Sequence, residues 1–378
     1  MPKAESILGE PKGIGGMVVK NRLVRSATFE GMARSGYVTE DFVRLYKALA
    51  EGGVGLIITG YAYVHRMGQS YLSMTGIDRD EFIPGLKRVT ETIHEHGDGC
   101  KISMQLAHCG RQSHILETPL APSPVFEPVA NKMPREMTRR EIEETIDAFA
   151  EGAVRAKKAG FDAVQIHAAH GYLLNEFLSP YTNKRTDEYG GDTEKRAKIV
   201  EDIYSRTVEK DGKKFPILIK MNVDDFLEGG INLKESKKIA ERISKTGFAA
   251  IEISGGMWET RIKNKDLVTI RTGIRSRQQE AYFRPYANEI RKVIDIPLIL
   301  VGGIRSLEVA QEILAEGSAD FVSLCRPLIR QPNLPNRWLK RIGELTADCI
   351  SCNTCLDNAA KVGVRCIQKE RAEHKSAG

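Results

Sequence analysis

No window of this chain approaches the length of a membrane-spanning helix, and its first residues, Met1-Pro2-Lys3-Ala4-Glu5, lack the apolar core of a signal peptide. A cytosolic protein with no membrane partner is therefore expected. Basic blocks are missing too: 56 Lys and Arg against 50 Asp and Glu lie spread along the sequence, for a net charge of +6. That balance argues against nucleic acid as a partner and favours anionic small molecules. There is no low-complexity linker and no repeat beyond a βα unit. The Gly-rich turn that a doubly wound sheet puts between its first strand and helix is also absent. Gly13-Ile14-Gly15-Gly16 comes before the first strand-like run and reads as a hairpin turn over a barrel floor.

What is present is enough to bury a large core. A chain of 378 residues with 41% hydrophobic content fits two ordinary domains, or one α/β barrel with an appendage. Eight short β-like runs decide for the barrel: 22–27, 54–60, 101–106, 162–167, 216–221, 249–254, 297–302 and 320–325. Amphipathic stretches lie between them at 40–51, 84–95, 138–158, 193–210, 233–245, 283–293 and 306–316. Gly97, Gly160, Gly247 and Gly317 are expected to supply left-handed helix stops. The reading is a (β/α)8 TIM barrel over residues 1–343, followed by a short cysteine-rich segment over 344–378.

The stretch from Phe161 to Leu178 organises the chemistry. It opens as a buried strand and delivers His167, His170 and Tyr172 at its carboxyl end, where a barrel carries its active site. An irregular turn over 168–171 would aim both imidazoles and the phenol into one pocket mouth. Two imidazole N–H groups can grip a substrate oxygen while a phenol hands over a proton. His-x-x-His is also metal-ligand spacing, and a histidine at a strand end can be purely structural.

The other strand ends supply Ala27-Thr28, Tyr61, Gln105, Lys220, Ser254, Gly302-Gly303 and Cys325-Arg326. The loops after strands seven and eight are where barrels bind phosphate, through bare backbone at Gly302-Gly303 and the charged fork of Arg326. Lys220, pointing in from strand five, needs an anion, a partially negative ring, or an ion pair with a barrel carboxylate such as Glu252. With the amide of Gln105 it suits the pyrimidine edge of a flavin. Two connections are unusually long. One runs over 107–138; the other, over 255–282, is basic, with Arg261, Lys263, Lys265, Arg271, Arg275 and Arg277. The basic loop reads either as a contact for a phosphate-bearing donor or substrate, or as a solvated surface loop.

Of seven cysteines, Cys100, Cys109 and Cys325 sit in or beside apolar runs, and four fall in the last 30 residues. Cys349, Cys352, Cys355 and the distant Cys366 can close around an iron–sulfur cubane or around zinc, although zinc sites usually bring two C-x-x-C pairs.

Together these residues resemble the old yellow enzyme superfamily of FMN-dependent oxidoreductases, most of all the barrel portion of its 2,4-dienoyl-CoA reductase and trimethylamine dehydrogenase branch. The resemblance runs from Lys20-Asn21-Arg22-Leu23-Val24 through Gln105-Leu106-Ala107-His108 to Cys325-Arg326-Pro327-Leu328. It is most specific at His167-Ala168-Ala169-His170-Gly171-Tyr172-Leu173, Leu178-Ser179-Pro180 and Arg185-Thr186-Asp187-Glu188-Tyr189-Gly190-Gly191. It implies that His167 and His170 bind the substrate oxygen and that Tyr172 donates the proton. It further implies FMN contacts at Ala27, Thr28, Gln105, Lys220, Gly302, Gly303, Cys325 and Arg326, and a [4Fe–4S] cluster on Cys349, Cys352, Cys355 and Cys366. Phe29 and Tyr61 depart from the single-domain branch. The implied activity is reduction of the C=C bond of an unsaturated carbonyl or enoyl thioester. Without the FAD- and NAD(P)H-binding region of that branch, which is not expected in this chain, electrons would come from NAD(P)H directly or from an electron-transfer protein. Amine or alicyclic dehydrogenation through the cluster, and an electron-relay subunit of a larger complex, are the alternatives. A small-molecule substrate is expected, and a homo-oligomer is left open.

Overall fold

The computed structural model describes residues 7–212, 214–263, 267 and 269–376. The inner ring holds β1 (Leu23–Arg25), β2 (Leu56–Tyr63), β3 (Lys101–Ala107), β4 (Ala163–Ala168), β5 (Ile217–Asn222), β6 (Ala250–Ser254), β7 (Leu298–Leu300) and β8 (Phe321–Leu324). Each strand pairs in parallel with its neighbour in chain order. The ring closes where Val322, Ser323 and Leu324 of β8 face Leu23, Val24 and Arg25 of β1. This is the expected (β/α)8 barrel; a two-residue strand, Thr75–Gly76, adds to the upper part of β2.

On the outside, among the described residues, lie α1 (Glu40–Glu51), α2 (Ile83–His96), α3 (Arg139–Lys158), α4 (Thr193–Asp211), α5 (Leu233–Thr246), α6 (Arg284–Ile290) and α7 (Leu307–Ala315). Their starts are written locally. Thr39, Thr138, Asp192 and Asn232 each accept a hydrogen bond from a first-turn N–H, and Thr138 with Glu141 completes a reciprocal capping box. The expected helix over 283–293 ends early, its last turn tightening into a 3-10 turn, Arg291–Val293. Of the expected glycine stops, Gly160, Gly247 and Gly317 are left-handed, but Gly97 has φ −94°. Its N–H still donates to Ile93, so the helical path runs on and the left-handed step shifts to Asp98 and Gly99. Among the described residues, no helix is long and apolar enough to cross a membrane.

The barrel interior is layered, because alternate residues of each strand point inward. Val24, Leu56, Ile58, Ala163, Leu218, Ala250, Ile299 and Phe321 make the lowest, apolar layer. It is plugged from below by the hairpin of Lys12–Ile14 and Met17–Val19, whose Ile14, Met17 and Val19 are buried against it. Each such side chain is worth about 1.5–3 kcal/mol of burial. Gly15 at the turn is obligatory: its φ is +53°, and a Cβ there would lie 2.6 Å from that of Ala249.

One step higher the interior turns polar. Gln105 donates to Gln165 (2.7 Å), and Gln165 donates to Glu252 (2.9 Å). Ser26 and Ser323 donate to the other oxygen of Glu252, at 2.7 and 3.0 Å. Lys220 reaches Ser26 at 2.9 Å and Glu252 at 3.3 Å. The next positions up, His167, Asn222 and Ser254, stand at the upper rim.

After β8 the short helix Arg326–Arg330 starts at that rim, helix Leu334–Lys340 runs back to the floor end of β2, where Asn336 N–H donates to Gly52 O (3.0 Å), and the cysteine-bearing tail returns over the rim. Val364 N–H donates to Glu30 O (2.7 Å), Gly273 N–H to Ser351 O (3.1 Å), and Ser73 to Ala360 O (3.1 Å).

Candidate active site

A cavity of about 360 Å³ opens at the carboxyl ends of the strands, within the range of small-molecule sites. Ala27, Thr28, Gln105, Lys220, Gly303, Cys325 and Arg326 line it, as do His167, His170 and Tyr172. Ten of the eleven residues singled out from the barrel sequence thus share one chamber. Gly302 is not in the wall: a Cβ on it would press on Phe283 (3.1 Å) and Tyr282 (3.3 Å), so it serves the packing behind Gly303.

The turn after β4 is irregular, as expected. His170 has φ +64°, a strained value for a side-chain-bearing residue. It is held there from three sides. Its N–H donates to Asn222 Oδ1 (3.1 Å), Gln112 Nε2 donates to its carbonyl (2.8 Å), and Gly171 N–H donates to Asn175 Oδ1 (2.6 Å). Tyr172 then stands at the start of the short helix Leu173–Leu178, its side chain free of any capping bond. The His167 ring lies 5.1 Å from that of His170 and 4.8 Å from that of Tyr172. His170 Nε2 shares a 2.7 Å hydrogen bond with Ser254 Oγ, whereas His167 Nδ1 is buried with no partner.

Burial, then the Lys220 ammonium, pushes the His167 imidazolium pKa down to about 3. Burial, His167 and Lys220 hold that of His170 well below the usual range. Both rings are therefore neutral donors at neutral pH. Depressed bases gain protons only in acid, so ligand affinity should show no imidazole inflection between about pH 5 and 8. A break near pH 6.5 in a binding titration would contradict this. Burial raises the Tyr172 hydroxyl pKa, and a hydrogen bond with Tyr61 lowers it in part. The phenol stays protonated at neutral pH, with a second phenol beside it.

The aromatic wall was less legible beforehand. Phe29 stacks on Tyr61 at 5.1 Å and on Tyr71 at 5.4 Å, and Tyr61 lies 5.2 Å from Tyr172. These rings come from the loops after β1 and β2 and from β2 itself, together with Trp258 from the long loop after β6. Only Phe29 and Tyr61 had stood out beforehand, as departures from a family pattern.

The basic loop divides. Arg261 lines the cavity, Arg271 stacks on Tyr282 at 4.4 Å, and Arg277 pairs with Glu312 on α7. Lys265 and the side chain of Lys263 lie outside the described residues. Arg326 donates to Arg271 O (2.8 Å), Ser351 O (3.3 Å) and Asn353 Oδ1 (2.7 Å), stapling the tail to the rim. Cys349, Cys352, Cys355 and Cys366 line one small adjoining cavity, and Arg326 is in the wall of both chambers. Among the described residues, no three His, Cys, Asp or Glu side chains are grouped as for a single metal ion.

Two features of the main cavity fit a flavin. One is the unpartnered polar atom at His167. The other is the bare backbone of Gly303, which lines the cavity with φ +71°. The amide of Gln105 and the ammonium of Lys220 would face the pyrimidine edge. Gly303 and Arg326 would hold the phosphate.

The profile of the NADH:flavin oxidoreductase / NADH oxidase family matches residues 8–344. An NADH oxidase of Thermoanaerobacter brockii is 39% identical over 347 residues, 90% of this chain and 52% of that protein. An NADPH dehydrogenase of Geobacillus sp. (strain WCH70) is 37% identical, over 90% of this chain and 95% of its own. The solved complex of 2-naphthoyl-CoA reductase with 2-naphthoyl-CoA superimposes with a TM-score of 0.86 at 27% identity, covering 94% of this chain and 55% of that one. The chain spans about half the length of the first and third of these.

Proposed function

The chain belongs to the NADH:flavin oxidoreductase / NADH oxidase family, within the old yellow enzyme superfamily, and from that premise we propose that it is an FMN-dependent NAD(P)H oxidoreductase reducing the C=C bond of an α,β-unsaturated carbonyl or enoyl thioester. The observation that carries the proposal is the convergence of two neutral imidazoles and a protonated phenol on one cavity rim. FMN, when bound, supplies the hydride for the β-carbon. His167 and His170 donate N–H groups to the carbonyl oxygen and stabilise the negative charge that collects there. Tyr172 gives its proton to the α-carbon, and Tyr61 stabilises the phenolate left behind through the hydrogen bond between them. The aromatic wall excludes water from the reacting atoms.

Tyr172→Phe tests this. Substrate reduction should slow about 10²- to 10⁴-fold, while reduction of the flavin by NAD(P)H changes little. Stopped-flow measurement of the two half-reactions separates them, and equal loss in both would remove Tyr172 from the donor role.

The four thiols around one cavity support a second element, a [4Fe–4S] cluster on Cys349, Cys352, Cys355 and Cys366. Three of the thiols come from one tight loop and the fourth from a separate segment, the arrangement that reaches the irons of a cubane. Arg326, which lines both chambers, would be shared by the two groups. The same arrangement would serve an amine dehydrogenase discharging electrons through the cluster. Anaerobic titration with enones and with amines distinguishes the two directions by which class reoxidises or reduces the bound flavin.

A further inference from the structure

We propose that Arg261 receives an anionic arm of the substrate, so that the preferred substrates are flat conjugated carbonyl compounds bearing a carboxylate or phosphate away from the double bond; this deepens the reductase reading above and rests on it. The cations of the cavity wall divide by partner. Lys220 is paired with Glu252. Arg326 is stapled to the tail, and Arg305 donates to Ile274 O (2.8 Å) and Ala347 O (2.6 Å). Arg261 is left with the face of Trp258, 4.2 Å from the ring centroid. Among the described residues it has no carboxylate partner, and Asp357, the one carboxylate in the wall, makes no ion pair with it.

A guanidinium over an indole face is held by its charge and still has its N–H fork to offer. That fork is the geometry that meets a carboxylate or phosphate with two parallel hydrogen bonds. A half-buried cation beside an apolar wall loses hydration, which an anion restores.

The position of Arg261 fits a substrate arm rather than the flavin phosphate. Arg326 and Arg271 act on Tyr282, beside Gly303. Arg261 instead bears on Tyr71 and Tyr172, lowering the pKa of both hydroxyls. The cavity therefore has two anion-receiving ends, and the stacked rings of Phe29, Tyr61 and Tyr71 run along the end that Arg261 commands. A conjugated body lying on those rings, with its carbonyl at His167 and His170, carries any distal anion toward the fork.

The test compares cinnamaldehyde with 4-carboxycinnamaldehyde, equal in the reacting group and different in charge, on the full-length holoenzyme. Wild type should favour the anionic acceptor. Arg261→Gln should cut the anionic-to-neutral ratio of kcat/KM by about 10- to 100-fold, through KM rather than kcat, with Arg261→Lys in between. Binding is read separately from Trp258 fluorescence, since the other tryptophan, Trp338, is fully buried. The affinity of the carboxylated compound should fall in Arg261→Gln and weaken with salt in wild type. If both acceptors are reduced and the ratio does not move, Arg261 has no such role and the reductase reading stands. If neither is reduced, that reading fails, and an unchanged fluorescence affinity overturns the Arg261 assignment as well. If Arg261→Gln slows only flavin reduction by NAD(P)H, the arm belongs to the dinucleotide and the substrate assignment is overturned.

Discussion

Lys220→Met should lower the free energy of unfolding by about 3 kcal/mol, and Glu252→Leu by nearer 5, because each strands a buried charge. The two residues are 4% and 0% exposed in side-chain area and stand on adjacent strands in register. The asymmetry follows from what remains. Without the lysine, Glu252 keeps donors from Gln165, Ser26 and Ser323; without the glutamate, the ammonium keeps Ser26 alone. The double variant should therefore lose clearly less than the sum of the two, and urea midpoints at constant slope measure the coupling. Strictly additive losses would mean that the pair contributes nothing as a pair. FMN affinity of refolded Lys220→Met is a separate readout. Its loss would show that the ammonium, besides balancing Glu252, faces the flavin.

How far the chain could be read in advance differs by element, and the reasons are physical. Period-two and period-3.6 apolar patterns are local, so all eight strands and seven outer helices were legible to within a few residues, as were the floor hairpin and the turn at His170. The failures came where a distant group decides. Gly97 looked like a helix stop, yet its N–H still found Ile93, and the stop moved on to Asp98 and Gly99. Gly302 and Gly303 are equivalent in sequence; only Tyr282 and Phe283, arriving from the preceding loop, put one in the wall and the other behind it. The lysine on strand five was recognisable as needing an anion, and both a flavin edge and Glu252 were open. The register of β5 against β6 brings Glu252 to it. Nothing local announced that Tyr71 and Trp258 would join Phe29 and Tyr61, or that Leu356, Asp357, Ala359 and Ala360 of the tail would complete the chamber.

A comparable effect is expected at Arg111, which no motif marked. Its guanidinium is fully buried between Glu176, accepting from Nε at 3.2 Å, and Glu259, accepting from Nη2 at 2.6 Å. Glu176 follows Tyr172 by one helical turn, its N–H donating to Tyr172 O at 2.9 Å, and Glu259 sits beside Trp258 in the long loop after β6. The arginine thus ties the proton donor's helix to the substrate-side loop. Arg111→Met should cost about 3–5 kcal/mol, since two buried carboxyl groups lose their shared donor. Its pH dependence carries the sharper signature. Burial, offset in part by Arg111, pushes the Glu176 pKa up to about 8, above its unfolded value. A raised acid stabilises the fold fully below its unfolded pKa of about 4.5, and that contribution is lost as pH rises through about 8. With the guanidinium gone the folded pKa climbs further. The decline in stability should then steepen on the alkaline side and continue past pH 8. Urea midpoints of both proteins from pH 5 to 9 measure this, and parallel curves would mean that Arg111 does not govern the charge of Glu176. Because Tyr172 is carried on the same short helix, the variant should also lose substrate reduction before flavin reduction by NAD(P)H, whereas a loss of global stability alone would lower both together.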